Sequence, residues 1–278
     1  MTATSADELL PIPFLSASGR GIRVAVIDSG INSAHPHICT PAKTVRVAGP
    51  GSRGVGSGAM HSSEDTLGHG TAVAAAIQEK APAAEYFAVK LFGSSLRATT
   101  TRLLDAIEWA IDSRMDVVNL SLGTTNLNEW AKFQALAERA SSEGVVLVSA
   151  RSSSIRPLLP GALPAVIGVD LDWDLPRHRY RIATADGRSY FFASGYPRPM
   201  PGVSPARNLS GISFAVANMT GFVARACEEL PKRSFQTVRD ALAAEFQKQQ
   251  ATERSGITAS RAPKALPARS LGWNSAIA

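Results

Sequence analysis

Apolar positions in this chain alternate between short unbroken runs and longer stretches with helical spacing. Ile22 to Ile27 is an apolar, β-branched run closed by the turn residues Asp28-Ser29-Gly30, which predicts a parallel strand buried on both faces. Gly144-Val145-Val146-Leu147-Val148-Ser149-Ala150 reads as a second such strand. Thr71 to Ile77 is a small-residue helical run, and Phe214 to Ala224 is apolar and long enough to form a buried helix. Strand and helix patterns spread in alternation over the chain predict an α/β fold with a mainly parallel sheet. With 278 residues, 45% of them hydrophobic, the chain can bury a large core. No internal repeat is visible, and no apolar run approaches the roughly 20 residues that a membrane-spanning helix needs.

Candidate chemistry sits where these runs begin and end. Asp28 closes the first strand, His69 lies between Gly68 and Gly70 just before the small-residue helix, and Ser213 precedes the apolar helix. A serine hydroxyl is a weak nucleophile until a histidine removes its proton, and the histidine needs a carboxylate to fix its tautomer and stabilise the imidazolium. Asp28, His69 and Ser213 can supply those roles. A nucleophile at a helix N-terminus also gains from the helix dipole and the backbone N–H groups there.

The order Asp, His, Ser and the flanking strings Val24-Ala25-Val26-Ile27-Asp28-Ser29-Gly30, Gly68-His69-Gly70-Thr71 and Gly211-Ile212-Ser213-Phe214-Ala215 resemble a subtilisin-like serine peptidase, a subtilase. Ala34-His35-Pro36, Tyr86 to Leu91, Ile107 to Ile111 and Met115 to Gly123 resemble subtilase segments as well, so the likeness covers Gly21 to Leu230. It implies a three-layer subtilisin-like fold, with a mainly parallel central sheet flanked by helices. It also implies that Ser121, Leu122 and Gly123 form the edge on which an extended substrate is laid by main-chain hydrogen bonds. Phe92 to Arg97 falls at the opposite edge, but is short and carries Arg97 where the family often has glycine.

Several positions depart from the family pattern. Subtilases follow the strand ending at Ala150 with an Ala-Gly-Asn string whose asparagine donates to the oxyanion, whereas here Arg151-Ser152-Ser153-Ser154 follows. In subtilisin the loss of that donor costs about two to three orders of magnitude in turnover. Ser152 or Ser153 is the expected replacement, with Arg151 and the upstream Asn208 as alternatives. Ile212 replaces a usual threonine before the nucleophile. Gln78 to Ala84 runs directly into the next strand without a calcium-binding loop, so no metal and no cofactor are expected. His35, His37 and Cys39 share a loop, but one loop rarely makes a transition-metal site. Asp170 to Arg181 turns from acidic to basic and contains Trp173, so it is either a substrate or partner surface or a solvated loop with Trp173 tucked against the body.

Charge and tails complete the picture. Residues 1–20 are expected to form an N-terminal extension, 21–250 the catalytic domain, and 251–278 a basic tail, carrying Arg254, Arg261, Lys264 and Arg269 against Glu253, that is either disordered and solvated or in contact with the domain or with an acidic peptide. The net charge of +6 has no aromatic and basic interleaving beside it, so nucleic acid is not an expected partner. The first residues lack the basic and apolar regions of a signal peptide, and two cysteines without an export signal default to thiols, so the expected location is cytoplasmic.

These readings converge on a serine endopeptidase acting on a peptide or protein substrate through an acyl-enzyme. The absence of a long calcium loop and of room for a folded pro-domain resembles compact subtilases that mature ribosomally made precursor peptides. Two alternatives remain open: a subtilase scaffold that binds peptide with little or no turnover, and a macrocyclase or transpeptidase that passes the acyl group to an amine.

Overall fold

Successive residues of one strand enter different cores. Val24 and Val26 pack with residues of the 73–84 and 214–227 stretches, while Ala25 and Ile27 pack with residues 103–122 and 133–147, as a strand covered on both faces requires. Each of these four side chains is essentially inaccessible. Burying a valine or isoleucine that fully contributes about 1.5–3 kcal/mol.

The computed structural model describes residues 12–45, 65–153, 156–185, 187–204, 207–256 and 276–277. In chain order the elements are β1 (Arg23–Asp28), β2 (Ala42–Val45), α1 (His69–Gln78), β3 (Glu85–Lys90), α2 (Thr100–Asp112), β4 (Val117–Leu120) and β5 (Gly123–Thr124). They continue with α3 (Trp130–Ser142), β6 (Val146–Ala150), the small hairpin β7 (Ser152–Ser153) and β8 (Arg156–Pro157), and β9 (Ile167–Leu171). The last are β10 (Tyr180–Ala185), β11 (Arg188–Ala193), α4 (Ile212–Glu229), α5 (Phe235–Gly256) and β12 (Ala276–Ile277).

Eight strands form one sheet in the order β10-β11-β9-β6-β4-β1-β3-β2. Every neighbouring pair is parallel except β10 and β11, which are antiparallel. Helices α1, α4 and α5 supply the core on one face, and α2 and α3 the core on the other. The expected three-layer α/β architecture with a mainly parallel sheet is therefore present. No helix among the described residues is long and apolar enough to cross a membrane.

At the amino-terminal end of the described residues, the extension is tied to α4 through residues 13–20. The guanidinium of Arg225 on α4 donates to the carbonyls of Pro13, Phe14 and Leu15, and Glu228 accepts from the backbone N–H groups of Ser18, Gly19 and Arg20. Phe14 is buried in the same core as α4. At the other end, the boundary expected at 250 falls inside α5, because Ala251, Thr252 and Glu253 continue the helix and Thr252 Oγ1 donates to the Lys248 carbonyl at 3.0 Å. Ala276–Ile277 lies against β5 as β12, whereas the rest of the expected tail, 257–275 and 278, lies outside the described residues.

Candidate active site

Asp28 and His69 meet because two elements approach unusually closely. Helix α1 opens at His69 above the end of β1, and a Cβ on Gly70 would lie 2.2 Å from the Gly30 carbonyl oxygen and 3.2 Å from Asp28 Oδ1. Only glycine fits there. The approach lets His69 Nδ1 and Asp28 Oδ1 share a 2.7 Å hydrogen bond. The same carboxylate oxygen accepts from Ser29 N–H at 2.7 Å. Asp28 is completely buried and His69 only 8% exposed, so little water screens the pair. Burial of the imidazole opposes protonation, but the charge of Asp28, its hydrogen bond and the charge of Asp65 outweigh this and raise the pKa above the ordinary 6.5.

Asp65 was not among the residues singled out from sequence. One oxygen accepts from Ser29 Oγ at 2.7 Å and from the N–H groups of Leu67 and Gly68; the other accepts from Thr71 N–H and Thr71 Oγ1. It ties the turn before α1 to the turn after β1, so it sets where His69 stands. The residue immediately before α1 is Gly68, so the ordinary signal of a capping side chain does not single out Asp65.

Ser213 is the second residue of α4 and 3% exposed. Gly211, just outside the helix, has φ of +141°, a conformation that excludes most side chains. Ser213 Oγ donates to the Ser121 carbonyl at 3.1 Å, and Ser121 Oγ donates to the Ser213 carbonyl at the same distance. Ser121 Oγ also accepts from Asn119 Nδ2, and Asn119 Oδ1 accepts from Thr220 Oγ1 on α4. The imidazole of His69 packs on the ring of Phe214, next to Ser213, with centroids 5.9 Å apart. The fold thus joins Asp28 to His69 directly, Ser213 to Ser121 directly, and His69 to the residue following Ser213.

Among the substrate-edge candidates, Ser121 and Leu122 are buried, with Ser149 Oγ donating to the Leu122 carbonyl, and Gly123 opens β5. The oxyanion candidates fare differently. The one hydroxyl proton of Ser152 goes to Asp170 Oδ1 at 2.8 Å, so that side chain has no second proton to donate. Arg151 is paired with Asp170 and stacked 4.6 Å over the ring of Tyr190. Asn208 donates to the Arg198 carbonyl and accepts from Leu209 N–H, which engages its amide within its own loop. Ser153 opposes Arg156 in the β7–β8 hairpin. Phe92 to Arg97 is present without regular structure.

A cavity of about 510 Å³ is lined in part by Trp173, Tyr196, Pro197, Val203 and Asn208. Trp173 packs on Tyr196 with centroids 5.2 Å apart and stays 40% exposed, so it is neither fully tucked in nor fully solvated. Two links join this wall to α4: Gly211 N–H donates to the Gly195 carbonyl at 2.9 Å, and Asn218 Nδ2 donates to the carbonyls of Ser194 and Tyr196. Asn218 is held from behind by the buried Lys80, whose Nζ donates to Asn218 Oδ1 at 2.7 Å.

The model of the subtilase family matches residues 19–159, just over half of the chain. The chain belongs to the subtilase family. This subtilase is 29% identical over 220 residues to subtilisin amylosacchariticus of Bacillus subtilis subsp. amylosacchariticus, a match covering 73% of this chain and 52% of that protein. It therefore spans about half the length of that relative. Two solved structures share its fold. A cold adapted subtilisin-like serine proteinase superposes with a TM-score of 0.58 at 20% identity, over 81% of each chain. The prenylagaramide maturation protease PagA gives 0.59 at 24% identity, over 83% of this subtilase and 86% of PagA.

Proposed function

We propose that this subtilase is a serine endopeptidase in which Ser213 attacks the scissile carbonyl, His69 acts as base and then acid, and Asp28 orients His69. The observation that carries the reading is the buried 2.7 Å pair of His69 with Asp28, packed through the imidazole on the residue next to Ser213. Asp28 bonds Nδ1, which leaves Nε2 as the nitrogen that takes the serine proton. Attack requires the Ser213 hydroxyl, which also reaches the Ser121 carbonyl at 3.1 Å, to pass its proton to that nitrogen. Water then releases the acyl group. The N-terminal turn of α4 contributes its dipole to the oxyanion, and Ser153 is the serine we assign as second donor, since the Ser152 proton is held by Asp170.

The substrate we assign is an extended peptide held on the 121–123 edge, with the cavity behind Trp173 receiving an apolar side chain. The likeness to a maturation protease supports a precursor peptide as that substrate. Cys39 and Cys227 are both thiols, which suits a reducing, cytoplasmic setting. Labelling of purified protein with a fluorophosphonate, followed by intact mass, tests the chemistry. A stoichiometric adduct that is absent from Ser213→Ala supports an activated nucleophile; no adduct under conditions that label subtilisin leaves a peptide-binding scaffold in its place.

A further inference from the structure

Strand β5 is too short to be a sheet of its own, yet both of its edges are taken. On one edge Thr124 N–H donates to the Leu159 carbonyl at 3.0 Å and Leu159 N–H donates to the Thr124 carbonyl at 2.9 Å. Successive residues of a strand direct their main-chain groups to opposite sides, so those of Gly123 face the other edge. There the chain's own Ala276–Ile277 lies, parallel to β5, with Ala276 opposite Gly123 and Ile277 opposite Thr124. Gly123 stands two residues beyond Ser121, which exchanges hydrogen bonds with Ser213.

We infer that Ala276–Ile277 is a tethered competitor for the peptide-binding edge, which a substrate must displace before it can be laid on Gly123. The inference rests on the reading of 121–123 as the substrate edge given above. The orientation makes the segment an occupant and not a substrate. β12 runs in the same direction as β5, away from the Ser121 end, so its carboxyl-directed end points away from Ser213. A peptide that brings a carbonyl to Ser213 at its carboxyl-directed end while paired with Gly123 must run the other way. The competition is intramolecular, because the segment belongs to the same chain as β5, so its occupancy does not depend on the protein concentration. Two residues of strand make few hydrogen bonds, so the occupant is weak by itself and yields to a peptide that makes more of them.

The test compares the full chain with the double variant Ala276→Pro/Ile277→Pro; by the same alternation one of the two N–H groups faces β5, and the double substitution removes it whichever residue carries it. Amide hydrogen exchange over residues 120–124 reads occupancy without requiring any catalysis; about tenfold faster exchange in the variant is expected. Competition is read from two labelling rates, one with ethyl fluorophosphonate, which does not need the edge, and one with an alanine tetrapeptide diphenyl phosphonate, which does. The peptidyl rate should rise about tenfold in the variant, with the small-probe rate unchanged. Unchanged exchange overturns the inference, as does a peptidyl rate that fails to rise while the small probe still reacts. Loss of the 276–277 segment from the full chain by self-cleavage, seen in intact mass, also overturns it. If neither probe labels either protein, the endopeptidase reading falls, and exchange alone decides whether the segment holds the edge.

Discussion

Gly70 and Gly30 approach so closely that one added carbon on Gly70 would sit 2.2 Å from the Gly30 carbonyl oxygen. No side chain relieves that clash, because the obstacle is backbone at the end of β1. Gly70→Ala must therefore lift the first turn of α1 and carry His69 off Asp28. We expect kcat to fall about a hundredfold, as for a misplacement of about 1 Å in a catalytic constellation, with the thermal transition still cooperative. Steady-state kinetics beside a melting curve check this; unimpaired turnover would mean that His69 need not touch Asp28.

The raised pKa of His69 sets a pH profile. The imidazole works as a base only when neutral, so kcat/KM should fall as pH drops through a value above 6.5. Asp65→Asn removes one of the charges that raise this pKa, and the limb should move to lower pH. In Ser29→Ala the Asp65 charge stays and one of its hydrogen bonds goes, so the limb should stay in place. A limb that does not move in Asp65→Asn contradicts the electrostatic role.

Lys80 gives a stability prediction. Burial lowers its pKa from 10.5 to about 8, against the opposing charge of Glu79. The folded state therefore holds this proton less tightly than the unfolded chain does, and between about pH 8 and 10.5 the unfolded state binds more protons. Stability attributable to Lys80 should rise with pH through that window. At about 1.4 kcal/mol per pH unit the difference is on the order of 3 kcal/mol. Urea unfolding of the native protein and of Lys80→Met across this range isolates it, since the losses expected from the buried Cys227, Tyr86 and Tyr180 are common to both proteins.

The oxyanion assignment separates two neighbouring serines. Ser153→Ala should lower kcat by about two orders of magnitude with little change in KM, the size of effect known for an oxyanion donor in subtilisin. Ser152→Ala should leave kcat within about threefold, because that hydroxyl serves Asp170. The reverse pattern would reassign the donor.

What could be read from the sequence divides along a physical line. The strand ending at Asp28, the helix beginning at His69 and the buried helix after Ser213 were legible because local periodicity and turn residues encode them. The reading of Ser121 to Gly123 as a substrate edge rests on the family likeness alone and remains a proposal. The relations across the chain were not legible. Lys80 and Asn218 lie 138 positions apart, and nothing local in either announces the other. Arg225 reading the carbonyls of Pro13 to Leu15 belongs to the same class, so the sequence alone did not show how residues 13–20 are held. Arg151 and Ser152 looked available for an oxyanion because their partner Asp170 arrives from the next strand of the sheet.

The order of the strands has a consequence for how the protein comes into being. β1, which carries Asp28, is flanked by β3 and β4, while α4, which carries Ser213, packs across β4, β6 and β9. A ribosome synthesises Asp28 and His69 early, well before Ser213, so the proposed acid and base are made long before the proposed nucleophile. Long-range parallel pairing is slow to form, and the helix with Ser213 can dock only after β9 has emerged. A nascent fragment that ends before α4 therefore lacks the residue proposed as nucleophile, and any hydrolytic capacity must await the docking of that helix.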